Sequence, residues 1–410
     1  MLAALLALAP TPALANPPRV ELPANLDAVL DFRLVLIDGE RSWTDEGFGP
    51  ARFGGGGDDA RVRAVPTAAF LAWHGPIAWS LNGTVAIAAQ DEQDQPVDLI
   101  QSFLEWRPVP RGPARFSFRA GLMWPEISLE HSGSNWQVDD MITPSAINSW
   151  IGEEVKVVGL EGRAVQPVGS ARLSATLGVF GFNDTSGTLL SFRGWALHDQ
   201  QTGAFSRQPL PPLNLPISFI QPQWTAPTSE IDGRIGYYAR LGLDLAAPVS
   251  LDAFYYDNRG DPEAVTSNLQ WGWDTRFLNV GARIELGPHT RLLAQALTGT
   301  TAMGYPVGGR LWVETRYRAA YLRVTHQTGR LALSGRLDLF DTRQRGSWLL
   351  AEDDSEGWAL TGTASWRLGG QARLLVEWLH IDSERTARAR TGVALAQSQN
   401  VVQAALRLSL

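Results

Sequence analysis

Positions 26–36 alternate: Leu26, Ala28, Leu30, Phe32, Leu34 and Leu36 fall on one parity, with Asp27, Asp31 and Arg33 on the other. A period of two is the signature of a strand with two unlike faces. The pattern recurs to the C-terminus, at 61–73, 77–89, 97–107, 115–124, 155–166, 171–182, 233–245, 249–258, 274–286, 290–300, 311–326, 330–341, 357–368, 372–382 and 401–410. Short connections join successive pairs, at His74-Gly75-Pro76, 108–113, Pro167-Val168-Gly169, Ala247-Pro248, Gly287-Pro288, Gln327-Thr328-Gly329 and Gly369-Gly370. The other connections, 38–60, 91–95, 125–153, 183–232, 259–273, 301–310, 342–355 and 385–397, are mostly longer and more polar. Seven short turns alternating with eight long loops predict about sixteen strands, with both termini at the short-turn end.

The two faces differ in kind. Across 358–368, Thr361, Thr363, Ser365 and Arg367 oppose Trp358, Leu360, Ala364, Trp366 and Leu368, and tryptophans cluster at segment ends, as at Trp73, Trp106 and Trp124. Most segments have roughly the 9–11 residues with which a tilted strand crosses a bilayer. Lipid cannot satisfy a free sheet edge, so such a sheet must close on itself. The predicted fold is all-β, a transmembrane antiparallel β-barrel of about sixteen strands. A secreted sandwich or propeller explains the alternation but not the loop asymmetry.

Composition narrows the class. No apolar run is long enough for a membrane-crossing helix. An apolar stretch at 2–9, two prolines and Ala13-Leu14-Ala15 predict an export signal over residues 1–15, with the barrel over 16–410, although only the terminal amine precedes the apolar stretch. Zero cysteines exclude a disulfide framework and a cysteine-ligated metal. A net charge of −7 makes no electrostatic case for nucleic acid. The basic residues are almost all arginine, Lys156 being the one lysine.

In these features the chain resembles a Gram-negative outer-membrane porin. The resemblance covers the signal, sixteen alternating segments, short turns, a long third loop at 125–153 and a strand running to Leu410. It implies an outer-membrane channel for passive diffusion of small hydrophilic or charged solutes, a third loop folded into the lumen as a constriction, contact with outer-membrane lipid and lipopolysaccharide, and a homotrimer. Two features depart from the family. Leu410 stands where porins usually end in an aromatic residue, and one lysine cannot form the lysine cluster that phosphate-selective porins, the subfamily nearest in organisation, set beside an arginine ladder.

With the apolar face toward lipid, the expected pore-lining residues are Arg115, Arg119, Arg163, Arg172, Arg234, Arg240, Arg283, Arg316, Arg318, Arg336, Arg367 and Arg373. The third loop offers Glu126, Glu130, Asp139, Asp140, Glu153 and Glu154. Arginine keeps its charge and presents a planar fork to carboxylates and phosphates. A basic wall facing an acidic loop sets a transverse field across a constriction; alternatively, these charges pair with one another and hold the loop.

Thr143-Pro144 reads as a helix start within this loop. The proline-rich 183–232 stretch reads as an extended external cap, with Phe219 and Trp224 available to a partner. Tyr238, Phe254 and Tyr256 read as lumen aromatics, more plausibly wall packing than a path for sugars. His131 with Asp139 and Asp140 lacks the spaced pattern of a calcium loop, so no metal or cofactor is expected. The six histidines form no H-E-x-x-H pair and no G-x-S-x-G is present, which argues against an enzyme. The competing function is a plugged structural or adhesive barrel that binds external partners through its loops.

Overall fold

In β1 (Leu26–Gly39), Val29, Asp31, Arg33, Val35 and Ile37 are buried, while Phe32, Leu34 and Leu36 are exposed. The apolar parity thus faces out and the mixed parity faces in, the reverse of a water-soluble sheet. The computed structural model describes residues 22–246, 248–346 and 353–410, without the side chains of 57–59. The expected export signal lies outside them.

Fifteen further strands continue the pattern: β2 (Gly57–Ala78), β3 (Leu81–Gln90), β4 (Asp98–Trp106), β5 (Arg115–Met123), β6 (Val157–Val168), β7 (Ala171–Gly181), β8 (Gly236–Asp244), β9 (Val249–Asp257), β10 (Asp274–Glu285), β11 (Thr290–Met303), β12 (Val313–Thr328), β13 (Leu331–Gln344), β14 (Ser355–Arg367), β15 (Ala372–Arg385) and β16 (Ala396–Ser409). Each pairs antiparallel with its sequence neighbours, and β16 returns to β1, with Gln403 opposite Val35, to close the barrel. No sheet edge is left open to lipid, as backbone satisfaction in a bilayer demands. The long loops are numbered L1 to L8 in chain order.

The first short turn departs from expectation. His74-Gly75-Pro76 lies within β2, which runs on to Ala78, and the chain reverses at Trp79-Ser80 with Ser80 at φ 63°. Proline is tolerated there because β1 ends its pairing at Trp73, so no neighbouring strand needs the missing amide hydrogen, and the register slips between Pro76 and Ala78.

The lumen is filled largely by the protein itself. Inward aromatics lie flat on the wall: Tyr238 covers Gly178, where a Cβ would collide with the ring, and Phe180, Tyr256 and Phe277 stack in sequence at 5.0 and 4.8 Å. Tyr238, Phe254 and Tyr256 are buried, which assigns them to wall packing. Above them sit L3 (residues 124–156) and the first half of L4 (182–235).

Candidate functional site

L3 is strapped across the lumen by side chains from opposite walls. Its helix α1 (Ala146–Glu154) is buried over its whole length and begins at Ser145, not at Thr143: the Ser145 hydroxyl accepts from Asn148 N at 3.3 Å. Glu130 holds this start, accepting from Ser145 N (2.9 Å), Ser145 Oγ (2.6 Å) and Asn148 Nδ2 (2.6 Å). Burial alone would raise the Glu130 pKa, but Arg336 at 3.6 Å, Arg323 at 3.9 Å and those hydrogen bonds lower it. Glu377 of β15 accepts from Ile142 N (2.8 Å) and Thr143 N (3.0 Å), Asp338 of β13 from Ala146 N (3.1 Å), and Arg407 of β16 donates to Val138 O (2.7 Å). Toward the other wall, Glu126 meets Arg163 at 2.7 Å, Arg240 at 3.4 Å and Arg119 at 3.9 Å. The loop therefore has little freedom to swing as a unit.

L4 overturns the reading of an external cap for its first half. Residues 183–208 are almost wholly buried, because Gly187, Leu190, Trp195 and Leu197 seat against inward wall residues and against L1. Asp199 reaches Arg33 of β1 and Arg52 of L1, the latter at 2.9 Å, and Ser191 Oγ lies 2.8 Å from Thr315 Oγ1 of β12. Only the second half is external, with Leu215 and Phe219 exposed and Trp224 under Arg207 at 4.1 Å. Proline content had suggested an extended surface stretch throughout; apolar residues between polar ones in the first half are what the lumen buries.

The C-terminal end of α1 grips this inner half of L4. Glu153 takes both Arg193 guanidinium nitrogens, at 2.8 and 2.6 Å, and lies 3.1 Å from His198 Nε2. Burial works against this carboxylate, yet Arg193 and His198 outweigh it and bring the pKa down to about 2. Glu154 accepts from Trp150 Nε1 (2.6 Å) and Leu189 N (2.9 Å); burial pushes it up to about 7 against those bonds, the Gly187 backbone and Arg193, with Tyr256 and Tyr317 close by. Lys156 donates to Thr202 O and lies 5.0 Å above the Trp124 ring. Burial pulls its ammonium down to about 7, with Asp98 of β4 opposing. Asp98 in turn binds Ser206 Oγ at 2.6 Å, and Gly203 leaves no room for a Cβ beside it.

The structure divides the expected residues. Arg119, Arg163, Arg240, Arg336 and Arg373 are on the inward face and pair with L3 or wall carboxylates; Arg336 lies 2.6 Å from Asp338, and Arg373 3.2 Å from Asp140 and also donates to Asp139 O. Arg115, Arg172, Arg283 and Arg367 share the inward parity and are exposed at the short-turn end. Arg316 and Arg318 are corrections: they face outward at the long-loop rim, where Arg318 pairs with Asp341 at 3.0 Å. Arg234 is another, exposed beside β8 and 2.7 Å from Asp261 of L5. Near the rim the outer surface has left the apolar band, so both parities carry charge. Leu322 and Val324 share the parity of Arg316 and Arg318 and Arg323 does not, a signal present in the sequence. Nothing in the sequence marks Asp199 or Arg193, Arg33 stands out only as a polar position of the first strand, and Lys156 only as the one lysine.

No protein-family model and no curated protein matches this chain. Solved structures do, at low identity. The outer membrane channel DcaP of Acinetobacter baumannii is 12% identical and superposes with a TM-score of 0.58 over 94% of this chain and 96% of its own. An anion-selective porin from Comamonas acidovorans, 12% identical, gives 0.53 over 94% and 98%. Salmonella typhi OmpF, solved with daunomycin, is 9% identical and gives 0.52 over 94% and 97%. The fold is that of the Gram-negative outer-membrane porins.

In this porin fold a sizeable open space lies at the short-turn end. A cavity of about 940 Å³ is bounded by Phe103, Arg107, Arg119 and Arg240 on the wall and by Glu126, Trp136 and His131 of L3. His131 stacks on Trp136 at 3.7 Å, and Trp136 on Trp124 at 4.3 Å; burial brings the His131 pKa down to about 4 despite Glu130, so the ring is neutral at pH 7. His131, Asp139 and Asp140 point to different partners, Ser128, Ser132 and Arg373. Among the described residues the carboxylates that do converge are Asp184, Glu230 and Asp232, where the two ends of L4 meet and backbone amides of Ile231, Phe182 and Arg234 donate to them.

Proposed function

We propose that this porin-fold barrel is an outer-membrane diffusion channel for small hydrophilic solutes, with a preference for anions. Support comes from how the lumen charges are spent. Glu126, Glu130 and Asp140 of L3 are all neutralised by wall arginines, whereas Arg115, Arg172, Arg283 and Arg367 face the short-turn opening with no ion pair among the described residues. A mouth lined by unpaired guanidinium groups raises the local concentration of anions and filters against cations. L3 and the arginines around Glu126 then form the constriction, so the pairing reading and the filter reading describe two depths of one lumen. Lipopolysaccharide contact at the outer rim and trimer assembly belong to the same proposal.

A second reading, a plugged barrel that binds partners through its loops, is favoured by the burial of the inner half of L4. Planar-bilayer recording under a salt gradient separates the two. The channel reading expects discrete steps and an anion-selective reversal potential. A heat-modifiable, verified barrel that never conducts contradicts it, and a cation-selective potential contradicts the anion preference.

A further inference from the structure

The cavity at the short-turn end is bordered by a stack of side chains that stops at open space. Trp124 and His131 lie nearly parallel to Trp136, at 7° and 4°, with ring centres 4.3 and 3.7 Å from it. Two rings that near one centre would collide side by side, so they take opposite faces of Trp136. Lys156 stands over Trp124 at 5.0 Å, which gives the order Lys156, Trp124, Trp136, His131. His131 ends the series and lines the cavity, and among the described residues no further ring stacks on it. We propose that this end of the stack, together with Arg240 of β8 on the wall of the same cavity, is a binding site for anions that carry a planar ring, the aromatic carboxylates. The proposal rests on the diffusion-channel reading and names a solute class for it.

Hydrogen bonds fix what His131 offers. Ser128 Oγ accepts from Glu130 N and His131 N, each at 3.1 Å, which occupies both of its lone pairs. Its own hydrogen is left for His131 Nδ1, 2.8 Å away, so the neutral ring carries its proton on Nε2. Nε2 has no partner among the described residues and is not enclosed by protein. An oriented donor therefore fronts the cavity at the edge of the last ring. Arg240 supplies the charge. Its nearest carboxylate oxygens, on Glu126 and Asp252, are 3.4 and 3.8 Å away, whereas Arg119 and Arg163 hold Glu161 and Glu126 at 2.7 Å. Close charge-assisted bonds run to roughly 2.7–2.9 Å, so Arg240 keeps capacity for a carboxylate that enters. The cavity's 940 Å³ falls within the roughly 300–1,000 Å³ of sites that hold small molecules. A stack that served only to hold L3 has no use for a polar ring and a free donor at its open end, and L3 is already tied by Glu126, Glu130 and Glu377.

Calorimetric titration of the folded, heat-modifiable barrel in detergent reads this site without requiring conduction. Benzoate is the probe; acetate lacks its ring and benzyl alcohol lacks its charge. Wild type is expected to bind benzoate at least about tenfold more tightly than either. His131→Ala should bring benzoate down to the affinity of acetate, and Arg240→Gln, on the wall and outside L3, down to that of benzyl alcohol. Benzoate that binds no more tightly than acetate or benzyl alcohol overturns the proposal, and so does benzoate binding that both variants leave unchanged. Bilayer recording of the same preparation separates the two readings. A barrel that binds benzoate selectively and never conducts supports the site and overturns the diffusion-channel reading. A barrel that conducts and shows no benzoate preference supports the channel and overturns the site.

Discussion

The two halves of the lumen are made from one alternating pattern yet reach different states. At the short-turn end the inward parity carries Arg115, Arg172 and Arg283 into solvent. At the long-loop end the same parity carries Thr315, Arg336, Thr361 and Gln403, all buried beneath or against L3 and L4. The strands do not decide between wet and dry; the loops they carry do. A polar inward face is therefore necessary for a pore and says nothing about whether the pore is open.

Breaking that contrast should have its largest effect at L4. Deleting residues 188–206 removes one of the two loops that fill the long-loop half, and open-channel conductance is expected to rise severalfold. Next comes the contact between α1 and L4. Glu153→Gln leaves Arg193 and His198 without their carboxylate; the depressed Glu153 pKa corresponds to about 3 kcal/mol of stability in the seating of L4 on α1. That contribution is fully present above pH about 4.5 and is lost as pH falls toward 2, so amide exchange in L4 should quicken over that window in wild type and lack that dependence in the variant.

Glu154 and Lys156 give the packing of L4 on α1 a further pH signature. The raised Glu154 pKa means that packing strengthens as pH falls below 7, and the depressed Lys156 pKa means it strengthens as pH rises above 7. Amide exchange in L4, corrected for the intrinsic rate, is therefore expected to be least protected near neutrality. Glu154→Gln should flatten the acidic limb and Lys156→Met the basic one; a monotonic profile in wild type contradicts this.

Smaller effects lie toward the solvent. Arg115→Glu with Arg283→Glu should move the reversal potential toward cations while leaving step size within about a factor of two. Smallest of all, Arg318→Ala at the outer rim removes an exposed pair worth under about 1 kcal/mol and should leave conductance unchanged.

How far the sequence led follows from the same contrast. Lipid on one face and a polar interior on the other impose a period of two over long stretches, so sixteen strands and their closure were legible from residues such as Leu30, Phe32 and Leu34. The third loop was legible by length and by the presence of a helix in it, although that helix starts at Ser145 and not at Thr143. L4 was not, because what draws 183–208 inward is a set of distant partners: Arg33, Arg52 and Asp98 lie far from it in the chain. Rim positions such as Arg316 were misread for a different reason, since parity loses its meaning once both faces meet water or headgroups. His74-Gly75-Pro76 read as a turn by composition, and only the end of β1 pairing made it strand.

The most direct measurement is the accessibility of single cysteines to a charged, membrane-impermeant thiol reagent, in a chain that has none of its own. Cysteines at Arg115, Arg172 and Arg283 should label rapidly, and cysteines at Thr315, Thr361 and Gln403 should be protected, the one at Thr315 until residues 188–206 are deleted. Equal labelling of both sets in the intact protein would contradict the division of the lumen into a wet half and a loop-filled half.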